Sequence, residues 1–374
     1  MRVGIVTDTH LGRETTDHVE SAWRLFRDKG ARLVVNCGDI ADRFYPEWYA
    51  KMCTVRQRVF PDVQNAPDEI WVWAGHDRIG LDDKKGVGKY GVVKEMLRIP
   101  HEAYDEWTYA GFRFLVFPQY LDYKRYADMI GAACKASPGK PVFVFDHVPC
   151  KGTTENSGRW GDVRRMKVLS RYPQVIHITG HAHGSLRNEQ NIHQGVFTSV
   201  SAGCLTYFSE AYAGCVNPTG RNRSVLVMEL FADHAVFRRY ALATGAEIGG
   251  DEPWTVAWPY DPNHPRYSRA AQRARHAAPQ FAAGAALEVA VVKDGIHVKI
   301  PETPGRFTRH YRVDLFRRNA DGEWMRFALR ERRGEFWKEP DERRGFVDDI
   351  VDSAYFVAGE PIRITATPCD FLGK

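Results

Sequence analysis

The chain has 374 residues, 44% hydrophobic and 26% charged, with a formal net charge of +5. Those values are ordinary for a soluble globular protein of roughly two or three domains. No stretch approaches the roughly 18 consecutive apolar residues of a membrane helix, and the mildly basic balance suits a phosphorylated substrate while falling short of a nucleic-acid signature.

The opening MRVGIVTD runs straight into an apolar alternation with no separable signal region, so a cytoplasmic chain is expected. Seven cysteines without a C-x-x-C pair point to reduced thiols, not a disulfide framework.

Residues 1–245 repeat one pattern. Short apolar runs end in polar, Gly-containing tips: RVGIVTD (2–8), RLVVNCGD (32–39), EIWVWAGHD (69–77), FRFLVFP (112–118), PVFVFDH (141–147) and QVIHITGH (174–181). Helix-length stretches such as HVESAWRLFRDKG (18–30) separate them. Strands apolar on both faces and spaced by helices predict an α/β sheet covered by helices. Trp71–Ala74 reads as a short buried strand, and VFTSVSAG, SVLVMELF and HAVFRRYAL read as hairpin strands that complete the domain.

Residues 246–280, rich in Pro, Gly and Arg, are expected to be a linker packed on this domain through Trp254, Trp258 and Tyr260. From 281 to 374 the chain alternates, with turn signals about every ten residues, which predicts a small all-β sandwich. Its alternating Arg and Glu read as a solvated sheet face.

Chemistry concentrates at the strand tips. They carry Asp8 and His10, Asp39, His76 and Asp77, Asp146 and His147, then His181 and His183. In open α/β sheets the ligand crevice lies outside the carboxyl ends of the strands. Residues i and i+2 of an extended segment point the same way, so Asp8 with His10, and His181 with His183, can each converge on one point. Gly38 and Gly180 permit tight turns just before a ligand. Mixed imidazole and carboxylate donors suit Zn, Mn or Fe better than Ca.

In this order, DTH (8–10), GD (38–39), AGHD (74–77), DHVP (146–149) and GHAH (180–183) resemble the motif series of the calcineurin-like metallophosphoesterases. The resemblance spans residues 1–245. It implies a four-layer α/β/β/α sandwich holding two divalent ions. Asp8, His10, Asp39 and His183 would hold the first ion, and Asp39 would bridge to a second bound also by His147 and His181. His76 would face the leaving group, oriented by Asp77.

Gly75 departs from the pattern, since the family carries an Asn there whose side-chain oxygen binds the second ion. Three outcomes stay open: water or substrate fills the vacancy, the second ion binds weakly, or one ion works alone. Because His147 and His181 are both kept, a filled but weaker second site is expected.

The implied reaction is hydrolysis of a phosphomonoester or phosphodiester by a metal-bridging hydroxide attacking phosphorus in line. His76 would stabilise or protonate the departing oxygen. The Gly-rich loop CKGTTENSGRWGDVRRMK (150–167) carries Lys151, Arg159, Arg164 and Arg165 and is a candidate substrate arm or lid. Arg13 and Arg78, just past two of the tips, are further candidate substrate contacts.

Two alternatives compete with a small phosphorylated substrate. TDTHLGR (7–13) with GDIADRFYP (38–46) also resembles the nuclease branch of the same superfamily, although no aromatic-plus-basic stripe for strands is visible in the sequence. A binding protein that kept the fold and lost the second site through Gly75 is the other. EPIRITATPCDFLGK (360–374) resembles the penultimate strand and following turn of a fibronectin type III domain, a module suited to a protein partner or to dimerisation.

Overall fold

Nearly every apolar run of the N-terminal region becomes a strand that stops short of its polar tip. The architecture comes from a computed structural model that describes residues 1–12, 16–79, 90–208, 223–249, 252–305, 307–338, 340–357 and 359–372. The chain divides into two units, Met1–Gln272 and Arg273–Lys374.

The strands of the first unit are β1 (Arg2–Val6), β2 (Leu33–Asn36), β3 (Asp68–Trp71), β4 (Asp105–Tyr109), β5 (Phe112–Val116), β6 (Val142–Phe145) and β7 (Val175–Thr179). They continue with β8 (Ile192–Gln194), β9 (Thr198–Ser201), β10 (Ser224–Leu230), β11 (His234–Ala241), β12 (Glu247–Ile248) and β13 (Trp254–Ala257). Helices α1 (Asp17–Asp28), α2 (Pro46–Val59), α3 (Tyr90–Leu97), α4 (Tyr123–Ala136), α5 (Ser157–Trp160) and α6 (Val163–Leu169) alternate with them.

Two mixed sheets result. One runs β12-β11-β10-β1-β2-β3, with β13 paired to β11, and the other runs β4-β5-β6-β7-β9-β8. Within them β1-β2-β3 and β5-β6-β7-β9 are parallel, so their polar tips line up along a common edge of each sheet.

Alternation along the strands decides the layering. Val3 and Ile5 of β1 join Val35, Phe143, Phe145 and Ile178 in a core between the sheets. Val6 faces the other way, into a cluster with Trp23 and Phe26 of α1, Tyr49 and Met52 of α2, and Val93 of α3. Leu115, Val144 and Val175 turn outward onto Tyr126 and Ile130 of α4 and Leu169 of α6. This is the expected four-layer α/β/β/α sandwich of the metallophosphoesterase fold. α1 shows how the sequence drives it: its buried Val19, Ala22, Trp23 and Phe26 follow the helical repeat, with Asp17 and Glu20 in the first turn.

Three details differ from expectation. Val72–Ala74 is buried, and the Val72 N–H still donates to the Asn36 carbonyl of β2 at 2.9 Å, but the ladder ends there because Trp73 and Ala74 take other partners. The Gln119 N–H donates to the Trp73 carbonyl at 2.8 Å, and the Ala74 N–H donates to Asp77 Oδ2 at 3.3 Å. β9 makes its hairpin with β8 and also runs parallel to β7 in the second sheet, while β10 and β11 make a hairpin in the first. The segment expected as a linker supplies β12 and β13 to the first sheet, and Trp254 and Tyr267 enter the core between the sheets.

The second unit is all-β: β14 (Glu288–Val292), β15 (Gly295–Pro301), β16 (His310–Arg318), β17 (Trp324–Arg333), β18 (Phe346–Asp352) and β19 (Ile362–Cys369). They form two antiparallel sheets, ordered β14-β15-β18 and β17-β16-β19. Val298, Ile300, Tyr311, Val313, Leu315 and Val351 fill its core. The Arg-rich face of β17 is more than a solvated surface, since Arg330 and Arg332 both pair with the buried carboxylate of Asp349 on β18. Among the described residues no helix is long and apolar enough to cross a membrane, and the six described cysteines are unpaired.

Candidate metal centre

Asp8 and His10 follow β1, Asp39 follows β2, His147 follows β6, and His181 and His183 follow β7. The tips are not the extended segments that i, i+2 spacing implies. Asp8, His10, Asp39, His181 and His183 have φ of +52°, +40°, +51°, +66° and +47°, five of the eight positive-φ non-glycine residues described. Such backbone persists only where the surroundings over-determine it, and it clusters at functional sites. Gly38, at φ +102°, belongs to the same device: a Cβ there would meet Ala74 Cβ at 2.5 Å and His147 Nδ1 at 2.9 Å.

The turns bring the side chains together in three groups. Asp8, His10 and His183 offer donor atoms within 4.8 Å of one another, as do Asp39, His147 and His181, and a third set, His10, Asp42 and His76, shares His10 with the first. His181 and His183, expected to converge on one point, therefore part to different groups. The left-handed turn at each, in place of extended backbone, sends them apart.

The carboxylates lie between the groups. Asp8 Oδ1 is 3.0 Å from His183 Nε2, 3.7 Å from His10 Nε2 and 4.0 Å from His147 Nε2. Asp39 Oδ2 is 3.0 Å from His147 Nε2 and 4.0 Å from His10 Nε2. The opposite oxygens are anchored: Asp8 Oδ2 accepts from Thr7 Oγ1 and the His181 N–H, and Asp39 Oδ1 accepts from the His76 N–H.

The imidazoles are oriented in the same manner. His10 Nδ1 faces Asp42 Oδ1 at 3.2 Å, His147 Nδ1 faces the Cys37 carbonyl at 2.8 Å, and His183 Nδ1 faces the Tyr207 carbonyl at 2.8 Å. Each arrangement turns Nε2 toward the carboxylates, the orientation found for metal-binding histidines. Asp8 Oδ1, His10 Nε2 and His147 Nε2 are buried and have no hydrogen-bond partner among the described residues. A single buried polar atom left unpaired costs about 1–3 kcal/mol, so three converging on one space suit a cation.

The electrostatics agree. Burial pushes Asp8 and Asp39 up, but the neighbouring histidines hold Asp8 well below the usual carboxylate range and Asp39 down at about 2. Burial opposes charge on His147 as well, yet Asp39 and Asp8 raise it to about 9. His181 is pushed down to about 4 by burial and then by His147, which leaves its imidazole neutral. The carboxylates attract positive charge from whatever neighbours supply it.

His76 is half-buried, with its ring edge-on to His10 at a centroid distance of 4.6 Å. Its Nδ1 lies 3.1 Å from the Asp42 carbonyl. Asp77, expected to orient it, is committed elsewhere. Asp77 Oδ1 accepts from the Ala41 N–H at 3.0 Å and the Tyr49 hydroxyl at 2.8 Å, and Oδ2 accepts from the Ala74 N–H. Burial and then the Asp39 charge push its pKa up to about 7. Asp77 thus ties the His76 turn to α2, and the residue facing the His76 ring nitrogen is Asp42. The sequence reading missed Asp42, although it stands three residues past Asp39 in the same tip.

Beside His181 opens a cleft of about 960 Å³, lined among others by Tyr120, Tyr123, Trp160 and Arg164. Arg164 lies over the Tyr123 ring at 4.2 Å, Arg159 over Trp160 at 4.8 Å, and Arg78 over Tyr120 at 3.9 Å. Arg13 lies outside the described residues. Arg165, grouped with the exposed loop cations in the sequence, is buried instead. Its Nε donates to Asp146 Oδ2 at 2.6 Å, and Asp146 Oδ1 accepts from the His147 N–H at 2.7 Å.

Residues 1–185 match the family model described as calcineurin-like phosphoesterase, a span that contains all six expected ligands. No curated protein matches the chain. Among solved structures, a dimetal phosphatase from Danio rerio is 12% identical, with 69% of this chain and 98% of that one covered and a TM-score of 0.41. A purple acid phosphatase from yellow lupin (Lupinus luteus) seeds is 12% identical over 69% of this chain and 53% of that one, with a TM-score of 0.47, so the chain spans about half its length. Vps29 from Chaetomium thermophilum is 11% identical over 70% of this chain and 97% of that one, with a TM-score of 0.31. The family match falls on the segment whose strand tips build the centre, and residues 1–185 are a calcineurin-like metallophosphoesterase domain.

Proposed function

We propose that the first unit is a two-metal phosphoesterase acting on a phosphomonoester or phosphodiester. The observation that carries this reading is the pair of donor groups, Asp8–His10–His183 and Asp39–His147–His181, closing on buried, unpartnered donor atoms. In it, Asp8, His10 and His183 would hold the first ion and His147 and His181 the second, with Asp39 shared between them. The donor set suits Mn, Fe or Zn. Two such ions, when bound, polarise a phosphoryl group and lower the pKa of a water.

The chain's own residues supply the rest. Asp42 keeps His76 Nδ1 engaged, which leaves Nε2 to stabilise or protonate the departing oxygen. The cleft beside His181 receives the organic part of the substrate, with Arg164 and Trp160 on its wall. A panel of p-nitrophenyl mono- and diesters with added Mn tests the reading. Turnover of at least one class is expected, and a fully metal-loaded protein inert to all of them overturns it.

A nuclease is the second reading, and one observation favours it. Tyr120, Tyr123 and Trp160 stand with Lys151 and Arg164 on one cleft, a combination that stacks bases and holds phosphates. Cleavage of single-stranded DNA in preference to the small diesters would select it.

For the second unit, the strand order supports a fibronectin type III-like module that binds a protein partner or a second copy of the chain. Light scattering on the whole chain separates these roles. Unpaired, mostly buried thiols support a cytoplasmic location.

A further inference from the structure

Gly75 offers no side chain where the resembled family supplies an amide oxygen, and the space it leaves is taken. A Cβ built on Gly75 would lie 2.8 Å from Oε1 and 3.1 Å from Nε2 of Gln119. The carboxamide of Gln119 thus fills the volume in which a side chain at position 75 would begin.

Gln119 arrives from a different strand, three residues past the end of β5. Its backbone is fixed on both sides: its N–H donates to the Trp73 carbonyl at 2.8 Å, and Arg165 Nη2 donates to its carbonyl at 2.7 Å. The same Arg165 holds Asp146, whose carboxylate accepts from the His147 N–H, so one guanidinium sets the position of both tips. Gln119 Oε1 is buried and has no hydrogen-bond partner among the described residues. Gln119 shares its cleft with His181, while the next residue after Gly75 binds Asp39 Oδ1 through its N–H.

We propose that Gln119 is a ligand of the second ion, supplying through its side-chain oxygen the neutral donor that Gly75 cannot. A carboxamide oxygen from glutamine is the same donor type as one from asparagine, so the charge of the centre is unchanged. Glycine at 75 is then a requirement and not a loss, because any Cβ there would displace the carboxamide. The second site is complete, with its fourth side chain delivered by another part of the sheet.

This inference rests on the two-metal reading, and its test separates the two. Mn binding is measured by equilibrium dialysis with elemental analysis, and coupling between two Mn ions by electron paramagnetic resonance. The proteins compared are the whole chain, Gln119→Leu, and Gly75→Asn combined with Gln119→Ala. Gln119→Leu keeps one ion and binds the second at least about tenfold more weakly, the lower end of what lost metal-site partners produce. The double variant, which returns an amide oxygen from position 75, regains the second ion and the coupled signal.

Wild-type affinity for both ions in Gln119→Leu would overturn the assignment while leaving the two-metal reading intact. A double variant that folds, by circular dichroism, yet stays at one ion would reduce Gln119 to a space-filling role and also overturn it. A wild-type chain that never binds a second ion would overturn both.

Discussion

His147 Nε2 stands 3.0 Å from Asp39 Oδ2, yet this nitrogen makes no hydrogen bond. Each residue has its other polar atom engaged, His147 Nδ1 by the Cys37 carbonyl and Asp39 Oδ1 by the His76 N–H, which leaves these two atoms turned into the shared space between the strand tips. Without an ion the two form a buried ion pair. In the two-metal reading both atoms would turn to a cation instead.

In the proposed reading His76 serves the leaving group without holding an ion. His76→Ala should therefore leave metal content unchanged and slow turnover by about 10²–10⁴-fold on phenyl phosphate, less on p-nitrophenyl phosphate, whose leaving oxygen needs little help. Paired rate measurements on the two esters check this. An undiminished rate on phenyl phosphate would contradict the acid role.

Asp42 faces His10 Nδ1 through its carboxylate at 3.2 Å and His76 Nδ1 through its backbone carbonyl at 3.1 Å, with the carboxylate 3.5 Å from the same His76 nitrogen. Asp42→Ala keeps the carbonyl and removes the carboxylate from both rings. It should weaken the ion assigned to His10 by about 10–100-fold, as loss of an outer partner does, with a smaller effect on the placement of His76. Metal titration followed by the leaving-group comparison at saturating metal tests both halves.

Arg165 and Asp146 form a buried ion pair, with side chains 2% and 0% exposed. Removing one partner strands the other charge, so Arg165→Met should destabilise the first unit by about 3–5 kcal/mol in denaturant unfolding. Adding Asp146→Asn should cost much less than a second increment of that size, because the lone charge is then gone.

His193 on β8 is pushed down to about 4 by burial and then by Arg269. Unfolded, an imidazole titrates near ~6.5, so the native state binds this proton more weakly. The stability it supports is complete above that value and is lost as pH falls toward 4. His193→Gln should shrink the difference between urea midpoints at pH 7 and pH 4.5. An unchanged difference would show that His193 ionises as readily folded as unfolded.

Much of this was legible in the sequence because alternation and apolar runs are local signals. Val3, Ile5 and Val6 announce a strand buried on both faces, and the tips after β1, β2, β6 and β7 hold the groups that converge. What the sequence hid depends on backbone and on distance along the chain. Left-handed φ at His181 and His183 splits a pair that spacing alone would unite. Asp77 looks like a partner for His76 by adjacency, but its carboxylate is claimed by Ala41 and Tyr49 from elsewhere. Gln119 gave no signal, being an uncharged amide at the end of a run that carried no His or acid, and only packing against Gly75 reveals it.

In the two-metal reading Asp8, His10, Asp39, His147, His181 and His183 hold a pair of ions. Elemental analysis of the whole chain after Mn loading and desalting, beside Asp39→Asn, is the decisive measurement. Two ions per chain are expected for the wild type, and Asp39→Asn should lose both ions and all turnover. Fewer than one tightly bound ion in the wild type, or a fully loaded Asp39→Asn, would contradict the account and favour a binding protein that kept only the fold.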